Sequence, residues 1–291
     1  MNRIVQCAPN FSEGRRPEVM EAIVAAAGQV KGVRIADWSG DADHNRMVLT
    51  LVGEAEQVLL SALAAASAAI NLIDLRSHSG VHPRLGAIDV LPFVPVKGVT
   101  MEECAQLAYK AGAEIVRLHG VPVFYYEAAA DGRSLPYVRK HAFVDLLPDM
   151  GPNDAPHLTA GAVVVGARKP LLAYNVELNT TDMKATRKIA MDIRTGQLDG
   201  ITGIRSLALF LESKQRAQIS MNIIDTENVS LTHLFQSICE RCKALGIDVV
   251  GSEVIGAIPG YSAFDVLTDS LKAHGLRPGQ ILFENWPEEV I

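Results

Sequence analysis

The amino-acid sequence predicts an α/β (α+β) protein of two lobes, and three observations carry that expectation. Apolar runs of strand length alternate with helices of amphipathic period in the order β-α-β-β-α-β. The same order restarts after a long polar stretch. The chain, at 291 residues, is also longer than one hydrophobic core usually supports, so two compact bodies are expected.

The first strand is expected over residues 4–8. Arg16-Pro17 opens a helix carried by Val19, Met20, Ile23, Val24 and Ala27, with proline in its first turn and Gly28 closing it. Residues 33–38 and 47–52 are strands around a polar turn at 39–46. A long helix over 54–73 and a strand over 88–96 complete the unit, a split βαβ or ferredoxin-like sheet with helices covering it. A helix over 101–118 and a strand over 121–126 extend this lobe. Residues 131–156 are polar and proline-containing, and are expected to be an irregular binding loop or linker before the apolar runs 161–166 and 171–178. Asn179-Thr180-Thr181-Asp182 then supplies helix-capping side chains. From there follow a helix to 193, strands at 206–211 and 217–224, a helix at 231–245, a strand at 249–255 and a helix at 264–273. The lobes are therefore expected to be 1–178 and 179–291.

Composition narrows the function. Acidic residues outnumber basic ones, 33 to 27, for a net charge of −6, which gives no basic surface for a nucleic-acid backbone. The N-terminal apolar run is too short for a signal-peptide core, and Ser61, Ser67 and Asn71 interrupt the alanine-rich run at 58–73, so a cytoplasmic protein without a membrane partner is expected. Four cysteines in a chain of this length form no disulfide framework.

The densest polar cluster is Arg76-Ser77-His78-Ser79-Gly80-Val81-His82-Pro83-Arg84-Leu85-Gly86-Ala87-Ile88-Asp89, in a loop between helix and strand where a rigid scaffold presents functional groups. Imidazole serves proton transfer or metal binding. His78 and His82 have the i, i+4 spacing of a zinc-binding pair, but Gly80 and Pro83 argue against the helix such a pair needs. Proton transfer and a purely structural role stand beside the metal reading. A second polar knot runs from Ser39 to Arg46, either a solvated turn or, if it meets the His82 loop, a place for Asp43 to orient an imidazole. Gly161-Ala162-Val163-Val164-Val165-Gly166-Ala167-Arg168-Lys169 lacks the lysine and hydroxyl of a phosphate loop; what is left is a close-approach glycine and two cations, either a seat for a carboxylate or a solvated strand end. Cys239 and Cys242 form a C-x-x-C spacing inside an expected helix, a structural rather than redox setting.

At these residues the sequence resembles the formiminotransferase domain of the formiminotransferase-cyclodeaminase family. The matching blocks are 7–15, Asp43-His44-Asn45-Arg46, His82 to Val90, Gly166 to Asn175, Ala217 to Asn222 and Val250 to Gly256. The resemblance implies a two-lobe transferase, usually a homodimer, with a ligand groove between the lobes. Its cosubstrate would be tetrahydrofolate, often polyglutamylated, and its reaction the transfer of a formimino group from N-formimino-L-glutamate. The family's catalytic histidine falls on His82, as general base and acid; by their chemistry and position in the motif, Asp43 and Arg84 would support it, and Arg84 and Arg46 would hold substrate carboxylates. Folate contacts fall on Gly166, Ala167, Arg168, Lys169, Pro170, Leu171, Leu172, Ala173, Tyr174 and Asn175, with a second contact at Ile201, Thr202 and Gly203, and no metal is implied. Two alternatives use the same residues: formyl transfer between 5-formyltetrahydrofolate and glutamate, and a non-catalytic paralogue that binds folate or a partner protein.

Overall fold

A computed structural model describes residues 3–271 as two units, Met1–Lys169 and Pro170–Ile291. In the first, β1 (Ile4–Cys7) and the short β2 (Asn10–Phe11) run along one line, followed by α1 (Pro17–Gly28), β3 (Val33–Asp41), β4 (Arg46–Glu54), α2 (Ala55–Leu72) and β5 (Ile88–Lys97). β4 and β5 flank β1 and β2, and β3 lies outside β4, all antiparallel. That order places the first strand between the third and fourth, which is the ferredoxin-like split βαβ sheet. After α3 (Met101–His119), β6 (Val123–Glu127) and β7 (Val163–Ala167) extend the sheet in parallel beyond β5, with β7 in the middle. Strands in such a position are buried on both faces, and all five residues of β7 are buried.

Helix packing follows from side-chain size. On α2, Ala62, Ala65, Ala66 and Ala69 recur at helical spacing and are buried, so α1, α3 and the sheet can approach its backbone closely. This helix is long and apolar enough to cross a membrane by composition, but here its alanine face lies in the core with Phe11, Leu51 and Phe93. α3 starts in a capping box, Thr100 with Glu103, and ends at Gly120 in the left-handed conformation.

The segment expected to be irregular contains α4 (Leu135–His141), started by Ser134 Oγ accepting the Tyr137 N–H. Val138 of this helix enters a small second core with Val90, Phe124, Tyr126 and Val164, on the opposite face of the sheet from α2 and α3. Seven residues with one buried position give no periodicity, which is why the polar composition dominated the sequence reading.

The second unit contains β8 (Leu172–Leu178), α5 (Met183–Arg194), β9 (Ile204–Leu211), β10 (Arg216–Ile223), α6 (Leu231–Ala244), β11 (Val249–Ile255) and α7 (Gly260–Leu271). Its sheet runs β11-β8-β10-β9, antiparallel throughout, the same split arrangement in smaller form. The expected boundary at Asn179 moves to Lys169/Pro170, because β8 hydrogen-bonds on one side to β10 and on the other to β11. The cluster at 179–182 is the turn into α5 and supplies the expected cap, with Asp182 accepting the N–H groups of Lys184 and Ala185 at 2.9 and 3.0 Å. The end of the expected 264–273 helix lies outside the described residues.

Gly86 makes the closest approach in the path from the His82 loop into β5: a Cβ there would sit 2.1 Å from Ala162 O and 2.9 Å from Ala160 O, both main-chain atoms. Gly86→Ala is expected to cost about 1–3 kcal/mol by overpacking, read as a lower urea midpoint; an unchanged midpoint would show that the backbone yields freely there.

Candidate active site

Two loops of the first unit are tied together by main-chain contacts. Val81 N–H donates to Asp43 O at 3.2 Å, and Asn45 Nδ2 donates to Ser79 O at 2.9 Å. Asn45 also accepts the Gly14 N–H at 2.9 Å, bringing in the segment before α1, and Glu13 accepts the N–H groups of Arg15 and Arg16 at 2.9 and 3.0 Å. Glycine is required at the crossing points: a Cβ on Gly14 would meet Asp41 O at 2.2 Å, and one on Gly80 would meet His44 O at 2.4 Å.

Arg84 is the clamp. Its Nη2 donates to His82 O at 2.8 Å and His44 O at 2.9 Å, its Nη1 to Asn45 O at 3.1 Å, and its Nε to His82 O at 3.2 Å. Its Nη1 also lies 2.7 Å from His78 Nδ1. The expectation that Arg84 holds a substrate carboxylate is redirected by this geometry, since its donors are spent on three carbonyls and an imidazole. His78, pressed low by burial and by Arg84, is a neutral acceptor in the same clamp.

His82 is half-buried, and its Nδ1 lies 2.7 Å from Pro83 O. A carbonyl only accepts, so Nδ1 carries the proton and the lone pair of the neutral ring sits on Nε2. Burial first, then the positive charges of Arg46 and Arg139, push the imidazole down to about 2, against the weaker pull of Asp89 and the Pro83 carbonyl. The ring is therefore neutral at pH 7. The ring facing it from the neighbouring turn is His44, with centroids 6.0 Å apart; His44 is buried and its Nε2 has no hydrogen-bond partner among the described residues. Asp43 meets the loop through its main chain, next to that ring.

Beneath lies Asp89, whose side chain is fully buried. Arg46 Nη1 donates to its Oδ2 at 2.5 Å, Arg139 Nη2 donates to the same oxygen, and Leu85 N–H donates to Oδ1 at 2.9 Å. Burial alone would raise this acid, but the two guanidiniums and the amide hold it well below the carboxylate range. Arg139 reaches the cluster from α4, and sequence reasoning missed it; the available signal was Ser134 followed by Pro136, a helix start in a stretch otherwise composed like a loop.

The expected folate segment spans the junction of the two units. Gly166 and Ala167 are buried in β7, and the close approach that Gly166 permits is to Tyr126, whose carbonyl a Cβ would meet at 2.3 Å. Arg168 is half-buried, hydrogen-bonds Tyr126 and donates to Lys169 O at 3.0 Å, while Lys169 is exposed. In β8, Leu172 and Tyr174 enter the core of the second unit, whereas Asn175 lies on the other face and donates to Glu253 at 3.0 Å. On that face β10 carries Gln218, which alternates with the core residues Ile219 and Met221 and pairs with Glu177; it is fully buried, and neither amide atom is hydrogen-bonded among the described residues. Ile201 and Thr202 line a depression of about 260 Å³ with Asp199, Asp225 and His233, and Gly203 follows them at positive φ. Cys239 and Cys242 lie in α6 as free thiols raised by burial, Cys242 to about 11. Among the described residues no cluster of three or more His, Cys, Asp or Glu side chains is arranged to hold a metal ion.

Two split βαβ units, one carrying a neutral histidine in the field of clustered arginines, define an α/β class built on two ferredoxin-like sheets. The chain belongs to the formiminotransferase family: residues 4–168 match the formiminotransferase domain, N-terminal subdomain, and residues 173–270 match the formiminotransferase domain. It is 38% identical to the glutamate formimidoyltransferase of Streptococcus pyogenes serotype M1, over 98% of this chain and 99% of that one. It is 36% identical to the glutamate formimidoyltransferase of Thermoplasma acidophilum, over 96% of both chains. It is 41% identical to the formimidoyltransferase-cyclodeaminase of Sus scrofa over 91% of this chain, and spans 52% of that longer protein.

Asp89→Asn leaves two guanidiniums without their buried counter-charge and is expected to cost about 3–5 kcal/mol at pH 7, read from urea unfolding. Because the folded acid is held low, its contribution is complete above the ordinary carboxylate range and is lost as pH falls through the folded value. The gap between wild type and variant should therefore close toward acid; a gap constant from pH 7 to pH 3 would contradict the pairing.

Proposed function

We propose that this protein is a glutamate formimidoyltransferase, moving the formimino group of N-formimino-L-glutamate to N5 of tetrahydrofolate with release of glutamate. The observation that carries the reading is the neutral His82 with its lone pair on Nε2, set in the field of Arg46 and Arg139. Tetrahydrofolate supplies a secondary amine as the nucleophile. His82 Nε2 takes the proton that N5 gives up as the N5–carbon bond forms, and returns it to the glutamate nitrogen as the carbon–nitrogen bond on that side breaks. No proton is gained or lost overall.

The arginines give this step an electrostatic logic. Burial first, and then Arg46 and Arg139, disfavour an imidazolium in the free protein, so His82 is unprotonated but weakly basic and, once protonated, gives its proton up readily. An anionic donor bound nearby offsets that positive field and strengthens the base when it is needed. Exposed Lys169, at the end of the first unit, suits the glutamate carboxylates of folate. The finer expectations of the same reading are folate contacts across Gly166 to Asn175 and at Ile201 to Gly203, polyglutamylated folate, a homodimer and the cytoplasm.

With purified protein, formiminoglutamate and tetrahydrofolate, His82→Ala is expected to lower kcat by about 10²-fold or more while tetrahydrofolate still binds by calorimetry. Equal turnover in the variant would remove His82 from the mechanism, and binding without turnover in the wild type would favour the non-catalytic paralogue. Since His82 in the free protein is unprotonated throughout pH 6–8, kcat/KM for the donor should show no acid limb near the ordinary imidazole value. A limb at that value would mean that the charges around His82 do not act as described.

A further inference from the structure

We propose that Arg139, with Arg46 beside it, binds a carboxylate of the one-carbon donor's glutamate moiety and so sets donor specificity. The inference rests on the formimidoyltransferase reading and adds to it the residue that recognises the donor.

The first argument is charge balance. Two guanidiniums converge on one carboxylate oxygen of Asp89, whose other oxygen is taken by the Leu85 amide. One negative charge therefore faces two positive ones in a place where Arg46 and Arg139 side chains are only 12% and 18% exposed. A buried charge without a partner is expensive, and a bound anion would complete the set.

The second argument is unused hydrogen-bonding capacity. Arg139 bonds through Nη2 alone, and its buried Nε has no partner among the described residues. Arg46 uses Nε on Asn10 Oδ1 and Nη1 on Asp89, which leaves Nη2. Planar guanidiniums with spare nitrogens match the two oxygens of a carboxylate, a geometry that lysine cannot reproduce. Arg84, by contrast, is consumed by its clamp.

The third argument is placement. Both arginines are close enough to His82 to depress its basicity, so an anion held there sits within the field of the proton-transfer group. The leaving nitrogen of formiminoglutamate is bonded to the carbon that bears the α-carboxylate, so recognition of that end and proton transfer fall naturally together. Val138, locked into the small core beside Phe124 and Val164, fixes the helix that carries Arg139.

The test is steady-state kinetics at saturating tetrahydrofolate, with formiminoglutamate and its α- and γ-monoamides as donors, for wild type, Arg139→Met and Arg139→Lys. Losing a charge-assisted contact predicts a rise of about 10–100-fold in the donor KM of R139M, exceeding any fall in kcat, with the KM for tetrahydrofolate unchanged. Wild type should discriminate against one of the two amides, and R139M should lose that discrimination. R139K should recover it only in part. A purely structural role for Arg139 would lower the urea midpoint but leave the acid-to-amide ratio of wild type, and that outcome overturns the inference. So does an unchanged donor KM in R139M while the wild type turns over. Absence of wild-type turnover with formiminoglutamate would instead end the functional reading, and the inference with it. Should R139M fail to fold, R139K, which keeps a cation for Asp89, carries the same comparison.

Discussion

Everything around His82 is referred to one buried carboxylate. Asp89 stands second in β5, and through it the first residue of β4, the main chain at Leu85 and the helix α4 are held to one point. A buried ion pair is seldom the most stable way to fill a space, because desolvating the ions offsets most of their attraction. An apolar residue at 89 would pack as well but would leave Arg46 and Arg139 with no reason to enter. The arrangement is understandable as a device for keeping two guanidiniums in a fixed, poorly hydrated place, with more positive charge than the acid can cancel.

That surplus reaches His82. A histidine in water divides its time between two charge states near neutral pH, whereas this one is confined to one of them by burial and by its cationic neighbours. Its tautomer is chosen separately, by the Pro83 carbonyl. Position, tautomer and charge state are thus set by three different parts of the chain: the Arg84 clamp, the adjacent peptide and the arginine pair. All three are groups of the chain itself, so the ring's position, tautomer and charge state are set by the fold.

Much of the framework was legible because it depends on local pattern. The strands and helices of both split sheets follow hydrophobic period and capping signals, and the His82 loop stood out as polar residues among glycines. What was not legible depends on pairings distant in sequence. Arg139 lies fifty positions from Asp89, in a helix of seven residues, and nothing local distinguishes it from Arg133 or Lys140. Gly166 announced a close approach correctly in kind, but the partner is Tyr126 of the next strand, which only the sheet order reveals. The sequence places the unit boundary at Asn179 and not at Lys169/Pro170 because the helix-capping cluster Asn179 to Asp182 reads as the start of the second unit, whereas β8 looks the same in sequence whichever sheet it joins.

The two units, each taken by itself, bury polar groups of different kinds. The first concentrates charge: Arg46, Arg139 and Asp89 lie within hydrogen-bonding reach of one another, and specificity there comes from balancing ions. The second offers neutral groups on the sheet face away from its core, where Asn175 is engaged by Glu253 and Gln218 is buried with its amide unsatisfied. An amide stripped of water without a partner costs about 1–3 kcal/mol, a cost that a ligand's own amide edge would remove. Charge recognition is strong but tolerant of shape, whereas a buried amide rejects whatever cannot return both of its hydrogen bonds. Within the first unit the polar interior is thus a matter of balancing ions, and within the second it is a matter of one buried amide.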